Sequence, residues 1–95
     1  MHVISRKKLK EAAAQHAELE GPLDAWFRIA KKADWLSLTD VRKSLSSADV
    51  VGRWTVFNIK GNQYRLITEI NYRFSRIYIR EVLNHSEYDR GGWKQ

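Results

Sequence analysis

Arg53-Trp54-Thr55-Val56-Phe57-Asn58-Ile59-Lys60-Gly61-Asn62-Gln63-Tyr64-Arg65-Leu66-Ile67-Thr68-Glu69-Ile70-Asn71-Tyr72 alternates along nearly its whole length. Trp54, Val56 and Asn58 oppose Thr55, Phe57 and Ile59; further on, Tyr64, Leu66, Thr68 and Ile70 oppose Arg65, Ile67, Glu69 and Asn71. A period of two belongs to a β-strand with different faces. Between the two runs, Lys60-Gly61-Asn62 supplies a glycine and an asparagine that tolerates left-handed backbone, which predicts a tight hairpin turn. Arg73-Phe74-Ser75-Arg76 predicts a second turn, and Ile77 to Leu83 a further strand with Ile77 and Ile79 on one face. The pattern is an antiparallel meander with one face packed and one partly open.

Before Ser46-Ser47 the period is 3.6. Leu9, Ala12, Ala13 and His16 fall on one face of a helix expected from about Arg6 to Leu19, with Ser5 as its cap. Gly21-Pro22 breaks the chain and restarts it, since proline suits a first helical turn. Leu23, Trp26, Phe27, Ala30 and Ala33 then repeat the spacing, with Lys31 and Lys32 near the negative end of the helix dipole. Ser37 or Thr39 can cap a third, short helix carrying Val41 and Leu45, and His2-Val3-Ile4 reads as a short strand at a sheet edge. Together these give an α+β fold: N-terminal helices on a twisted, mainly antiparallel four-stranded sheet. Residues 1–90 form the expected domain, and 91–95, opening on Gly91-Gly92, a frayed tail.

Composition narrows the function. The 95 residues carry 17 Lys and Arg against 11 Asp and Glu, a net charge of +6. Residues 1–47 and 48–95 each contribute +3 (nine bases against six acids, then eight against five), so neither half is a basic arm. Between 53 and 80, however, Arg53, Lys60, Arg65, Arg73, Arg76 and Arg80 face only Glu69. That is either a solvated strand face or a phosphate-binding surface, and the planar fork of arginine suits the second. There is no cysteine, hence no disulfide framework, thiolate metal site or cysteine nucleophile. No apolar run approaches the roughly 18 residues a membrane span needs, and charge at Arg6 interrupts any secretory signal. A cytoplasmic protein with no membrane association is expected.

Three histidines are available for chemistry. His2 has no neighbour that suggests a role, and His16 on an apolar stripe reads as structural. His85 opens Asn84-His85-Ser86-Glu87-Tyr88-Asp89 as the chain leaves the last strand, a place that is both anchored and reachable. Histidine moves protons near neutrality, and Tyr88 would face the same way if a helical turn follows. The alternative for His85 is plain polar surface. Metal binding is weakly supported, because no second histidine lies near His85, and a phosphate loop is weakly supported too, because Gly61 and Gly91-Gly92 open no glycine-rich pattern before a helix.

The chain resembles the HigB toxins of type II toxin–antitoxin systems, within the RelE/ParE-like group. The resemblance rests on Met1-His2-Val3-Ile4-Ser5-Arg6-Lys7-Lys8-Leu9, on Trp26 with Ala30-Lys31-Lys32-Ala33-Asp34-Trp35, and on Ser47-Ala48-Asp49-Val50-Val51-Gly52. Most specific are Val56-Phe57-Asn58-Ile59-Lys60-Gly61-Asn62-Gln63-Tyr64-Arg65-Leu66 and Tyr78-Ile79-Arg80 followed by His85-Ser86-Glu87-Tyr88-Asp89. It implies a RelE-like fold and a ribosome-dependent mRNA endoribonuclease, an mRNA interferase that inhibits translation. Attack by the ribose 2′-OH on the adjacent phosphate is implied, with no metal and no cofactor.

By the same resemblance, Arg65 lies beneath the scissile phosphate, Lys60 supports it, and His85 with Tyr88 takes the acid/base position. Asn58, Arg73, Arg76, Arg80 and Asp89 are expected to hold RNA, Arg80 being either catalytic or a binding group. Implied partners are a HigA-type helix-turn-helix antitoxin, mRNA on the 70S ribosome, and operator DNA only through the antitoxin complex. Two other readings share these features: a non-nucleolytic toxin of the same fold acting on DNA gyrase, and a basic RNA- or protein-binding module.

Overall fold

The computed structural model describes residues 1–94. In chain order it contains β1 (His2–Ile4), α1 (Arg6–Gln15), a 3₁₀ turn (Ala17–Leu19), α2 (Glu20–Lys32) and α3 (Leu38–Ser44). Then come β2 (Asp49–Val51), β3 (Trp54–Ile59), β4 (Tyr64–Asn71), β5 (Arg76–Asn84), α4 (His85–Arg90) and a second 3₁₀ turn (Gly92–Lys94). The strands form one five-stranded sheet in the order β1-β5-β4-β3-β2. All neighbours are antiparallel except β1, which lies parallel to β5 at the edge. The α+β class holds, with five strands where four were expected. The additional strand, β2, pairs Asp49 to Val51 with Val56 to Trp54. Three residues are too few to show a period, so only its partner reveals it.

Alternation along the strands divides the apolar residues between two faces. Phe57, Ile59, Leu66, Ile77 and Ile79 pack against Leu9, Leu19, Leu23, Trp26, Ala30, Trp35 and Val41 from the helices. The opposite face is not bare: Trp54, Val56 and Ile67 form a second cluster with Trp93, flanked by Val51, Leu83 and Tyr88. Burying large apolar side chains here stabilises the fold and requires a cover. The tail supplies it. Gly91 has φ 77, a left-handed turn that glycine allows without strain, and Trp93 beyond it is 5% exposed. The stretch expected to fray from Gly91 therefore folds back through Lys94, and Gln95 lies outside the described residues.

A β-bulge sets the phase of β5. Ile67 faces Glu81 while Thr68 faces Ile79, so Arg80 is the extra residue. Beyond it the faces exchange: Val82 packs with the helix-side core, whereas Leu83 joins the second cluster and pairs with Arg65.

Helix ends differ from the expectation in three places. α1 stops at Gln15, because His16 adopts φ −132 and ψ 89 and the chain resumes as a 3₁₀ turn. That break brings Leu19 fully into the core and lets the Tyr64 hydroxyl donate to Glu18 at 2.7 Å. His16 is thereby exposed, with its ring 5.5 Å from that of Tyr64. Ser5 stands before α1 with a left-handed φ of 71, and its carbonyl, not its hydroxyl, receives the Lys8 N–H at 2.9 Å. Ser37 occupies the position before α3 without a side-chain cap, while Asp40 accepts from Leu36 N at 3.0 Å.

Candidate functional site

Asn84 ends β5 and begins α4 through a reciprocal cap. Its side chain accepts the Glu87 N–H at 2.8 Å, and Glu87 Oε1 accepts the Asn84 N–H at 3.0 Å. Asn84-x-x-Glu87 is the sequence form of a capping box, a signal legible in the sequence itself. The cap fixes His85 as the first residue of α4, and its backbone N–H donates to Gln63 O at 3.1 Å, tying the helix to the β3–β4 turn. Helical spacing then places His85 and Asp89 one turn apart on the same side.

Within that group the side chains engage one another. His85 Nδ1 lies 2.9 Å from Asp89 Oδ2, with both side chains more than half exposed. Holding Nδ1 on a carboxylate orients the imidazole and leaves Nε2 for a substrate. Asp89, expected to hold RNA, has its carboxylate turned onto the imidazole of His85. Tyr88 turns the other way. Its ring stacks on Trp93 with centroids 4.9 Å apart and planes at 15°, and the Trp93 indole N–H donates to Tyr88 O at 2.8 Å.

Beneath Tyr88 lies Arg65, its guanidinium 5.3 Å from the ring centroid. Alternation alone put Arg65 opposite Tyr64 and Leu66, and the structure agrees, but the side chain is only 9% exposed. Nη1 donates to Asn62 O at 3.0 Å and Tyr64 O at 3.2 Å, and Nη2 donates to Asn62 Oδ1 at 3.0 Å. Asn58, paired with Arg65 across the sheet, donates to the same Asn62 oxygen at 3.3 Å. Asn62 is thus a site residue that sequence reasoning read only as a turn former. The left-handed positions of the turn are Lys60 (φ 54) and Gly61 (φ 63), which frees Asn62 to face Arg65. These bonds engage both terminal nitrogens of the guanidinium, which sits under the Tyr88 ring.

Other expected residues lie elsewhere. Lys60 is exposed in the turn, and its charge falls on Glu18, on the helix side. The Tyr64 hydroxyl is the main cause that holds the Glu18 carboxyl below its ordinary value, and the same bond raises the Tyr64 phenol. Arg80, at the bulge, has its guanidinium 5.3 Å from the Trp54 ring, which Arg53 also approaches at 4.4 Å. Arg73 and Arg76 stand at the β4–β5 turn, the opposite end of β5 from His85. With nine residues in β5, that separation is about 25 Å. They are not part of the His85 group. Among the described residues no three metal-ligating side chains converge as a cation site requires.

Residues 19–91 match the family model described as HigB_toxin, the RelE-like toxic component of a toxin–antitoxin system. The chain belongs to the HigB toxin family. Family membership makes it a toxin with an antitoxin partner, on a RelE-like fold. Curated relatives agree over nearly the full length of the chain. A protein of Escherichia coli K12 named mRNA interferase toxin HigB is 34% identical over 92 residues, which are 94% of this chain and 88% of that protein. The mRNA interferase HigB of Shigella flexneri shows the same figures, 34% identity with 94% and 88% coverage. The mRNA interferase HigB of Escherichia coli O6:H1 (strain CFT073) is 28% identical over 93 residues, covering 95% and 90% of the two chains. No helix among the described residues is long and apolar enough to cross a membrane.

Proposed function

We propose that the protein is an mRNA interferase that cuts messages held on the 70S ribosome. The observation that carries this reading is an imidazole oriented by a carboxylate, His85 on Asp89 at 2.9 Å, one helical turn from a tyrosine that overlies a buried arginine. The relatives named mRNA interferases supply the reaction class. In the step, the ribose 2′-OH gives up its proton and its oxygen attacks the adjacent phosphorus; the bond to the 5′-oxygen breaks, and that oxygen receives a proton. The products are a 2′,3′-cyclic phosphate and a 5′-hydroxyl. His85 carries the proton at one of the two oxygens through Nε2, and Asp89 keeps the ring turned. Arg65 supplies its positive charge to the phosphate as negative charge builds there. Lys60 adds long-range positive charge, and Tyr88 stacks on a splayed base or moves a proton through its hydroxyl.

One exposed histidine and one tethered arginine form a sparse acid/base set. Proton transfer contributes about 10²–10⁴-fold, and precise positioning can contribute more. A ribosome that holds a codon still would supply that positioning, so free RNA should be a poor substrate. Action on translating ribosomes places the protein in the cytoplasm. The antitoxin in this reading is a HigA-type helix-turn-helix protein, and operator DNA is bound only by the toxin–antitoxin complex. The test is cleavage of one mRNA with and without programmed ribosomes. Faster cutting on ribosomes supports the reading. Equal rates overturn ribosome dependence, and no cutting in either reaction favours the gyrase-directed alternative.

A further inference from the structure

Phe74 projects from the β4–β5 turn with 59% of its surface exposed. The turn is not loose. Asn71 Oδ1 accepts the Phe74 N–H at 3.0 Å, Ser75 takes a left-handed φ of 56, and Ser75 O accepts the His2 N–H of β1 at 2.8 Å. Two guanidiniums flank the ring, Arg73 at 5.4 Å and Arg76 at 5.8 Å from its centroid. Both arginines are exposed, and neither enters an ion pair among the described residues. A braced aromatic between two uncompensated forks matches one ligand chemistry closely: an unpaired base to stack on, with a phosphate on either side.

We propose that the Arg73-Phe74-Ser75-Arg76 tip is a second RNA contact, separate from the cleavage site, which docks on an unpaired nucleotide of the structured RNA that presents the message. This rests on the ribosome-dependent reading above and adds the surface that holds the toxin in place. Two features favour structured RNA over the message itself. The tip lies at the opposite end of β5 from His85, and a pre-braced contact suits a ligand that is itself preformed, since neither side then loses much freedom on binding. Dividing docking from chemistry in this way also accounts for arginines that lie far from the reacting phosphate.

The experiment measures equilibrium binding to vacant 70S ribosomes across a salt series, alongside single-turnover cleavage on programmed ribosomes at saturating toxin. Phe74→Ala should weaken binding between about fivefold and 150-fold, the range for loss of one base–aromatic stack, and Phe74→Trp should restore it. Arg73→Ala with Arg76→Ala should flatten the dependence of log K on log salt by roughly 1.4, about 0.7 for each lost phosphate contact. All variants should cut at the wild-type rate once saturated. Wild-type binding by Phe74→Ala would overturn the proposal, as would a loss of binding that Phe74→Trp does not restore. A defect confined to programmed ribosomes would assign the contact to the message, and one confined to complex formation with the antitoxin would make the tip a protein-docking site; either overturns it. If the wild-type toxin cuts on ribosomes while Phe74 has no effect on binding, only this proposal fails. If Phe74-dependent binding occurs without any cleavage, the nuclease reading fails and the contact stands.

Discussion

Trp93→Ala perturbs the cover of the second cluster and, through it, the site. Trp93 is 5% exposed, stacks on Tyr88 and shares a cluster with Trp54, Val56 and Ile67. Truncating a buried tryptophan to alanine costs about 3–5 kcal/mol. Here the lower end applies, because the pocket opens to solvent and water replaces the ring. The lost indole hydrogen bond adds little: Tyr88 O still accepts the Gly91 N–H at 3.1 Å and is not orphaned. A loss of about 3 kcal/mol is large beside the 5–15 kcal/mol typical of a whole domain, and it should lower Tm by roughly 12–24 °C. The loss is bounded by the free energy of docking the tail, since α4 and the tail can detach while the helix-side core persists. Cleavage should fall as well, because Tyr88 loses its stacking partner above Arg65. Thermal and urea unfolding read the first effect, and single-turnover cleavage below the melting range reads the second. Trp93→Phe, which keeps a ring, should recover most of both. A change under about 0.5 kcal/mol, the ordinary scatter of surface substitutions, would mean that Trp93 covers nothing and that residues 91–94 are a frayed tail.

Arg65→Ala should lower saturated cleavage about 100- to 1,000-fold, as loss of an oxyanion donor does, and should also destabilise the fold by about 1–3 kcal/mol because the Asn62 bonds disappear; Arg65→Lys should restore only part of the rate, and a folded Arg65→Ala protein cutting at wild-type speed would remove Arg65 from the site. Asp89→Asn should slow cleavage roughly tenfold, less than the 100-fold or more expected for His85→Ala, with partial recovery in Asp89→Glu and unchanged ribosome affinity. The Glu18 carboxyl is depressed by the Tyr64 hydroxyl, so its contribution to stability is present above the ordinary carboxylate value of 4.5 and is lost as pH falls through the lower folded value. The stability gap between wild type and Tyr64→Phe, followed by urea unfolding from pH 7 to pH 3, should therefore close on acidification; a constant gap would contradict the assignment.

Strand and helix identity were legible where a period ran long enough to be counted. Leu66 separated correctly from Arg65 and Ile67, and Phe57 and Ile59 from Trp54 and Val56, because alternation along one strand assigns opposite faces before any partner is known. What escaped depended on contacts between distant residues. β2 exists through its pairing with β3, and the bulge at Arg80 appears only when Ile67 and Thr68 meet β5. Leu19 entering the core and Tyr64 reaching Glu18 overrode the helical propensity that would have carried α1 past His16. Gly91-Gly92 looked like an end because local flexibility was visible and the apolar cluster awaiting Trp93 was not. At the site, the type and spacing of His85 and Tyr88 were readable. The burial of Arg65, the turning of Asp89 onto His85 and the anchoring role of Asn62 were not, since each is a side-chain geometry with no period to betray it.

In the proposed mechanism the 2′-OH of the message is the nucleophile. The most direct test is single-turnover cleavage, on programmed ribosomes, of an mRNA with one 2′-deoxynucleotide on the 5′ side of the cut. The account predicts that cleavage at this position is abolished while neighbouring all-ribose sites are still cut. Undiminished cleavage at the 2′-deoxy position would contradict it.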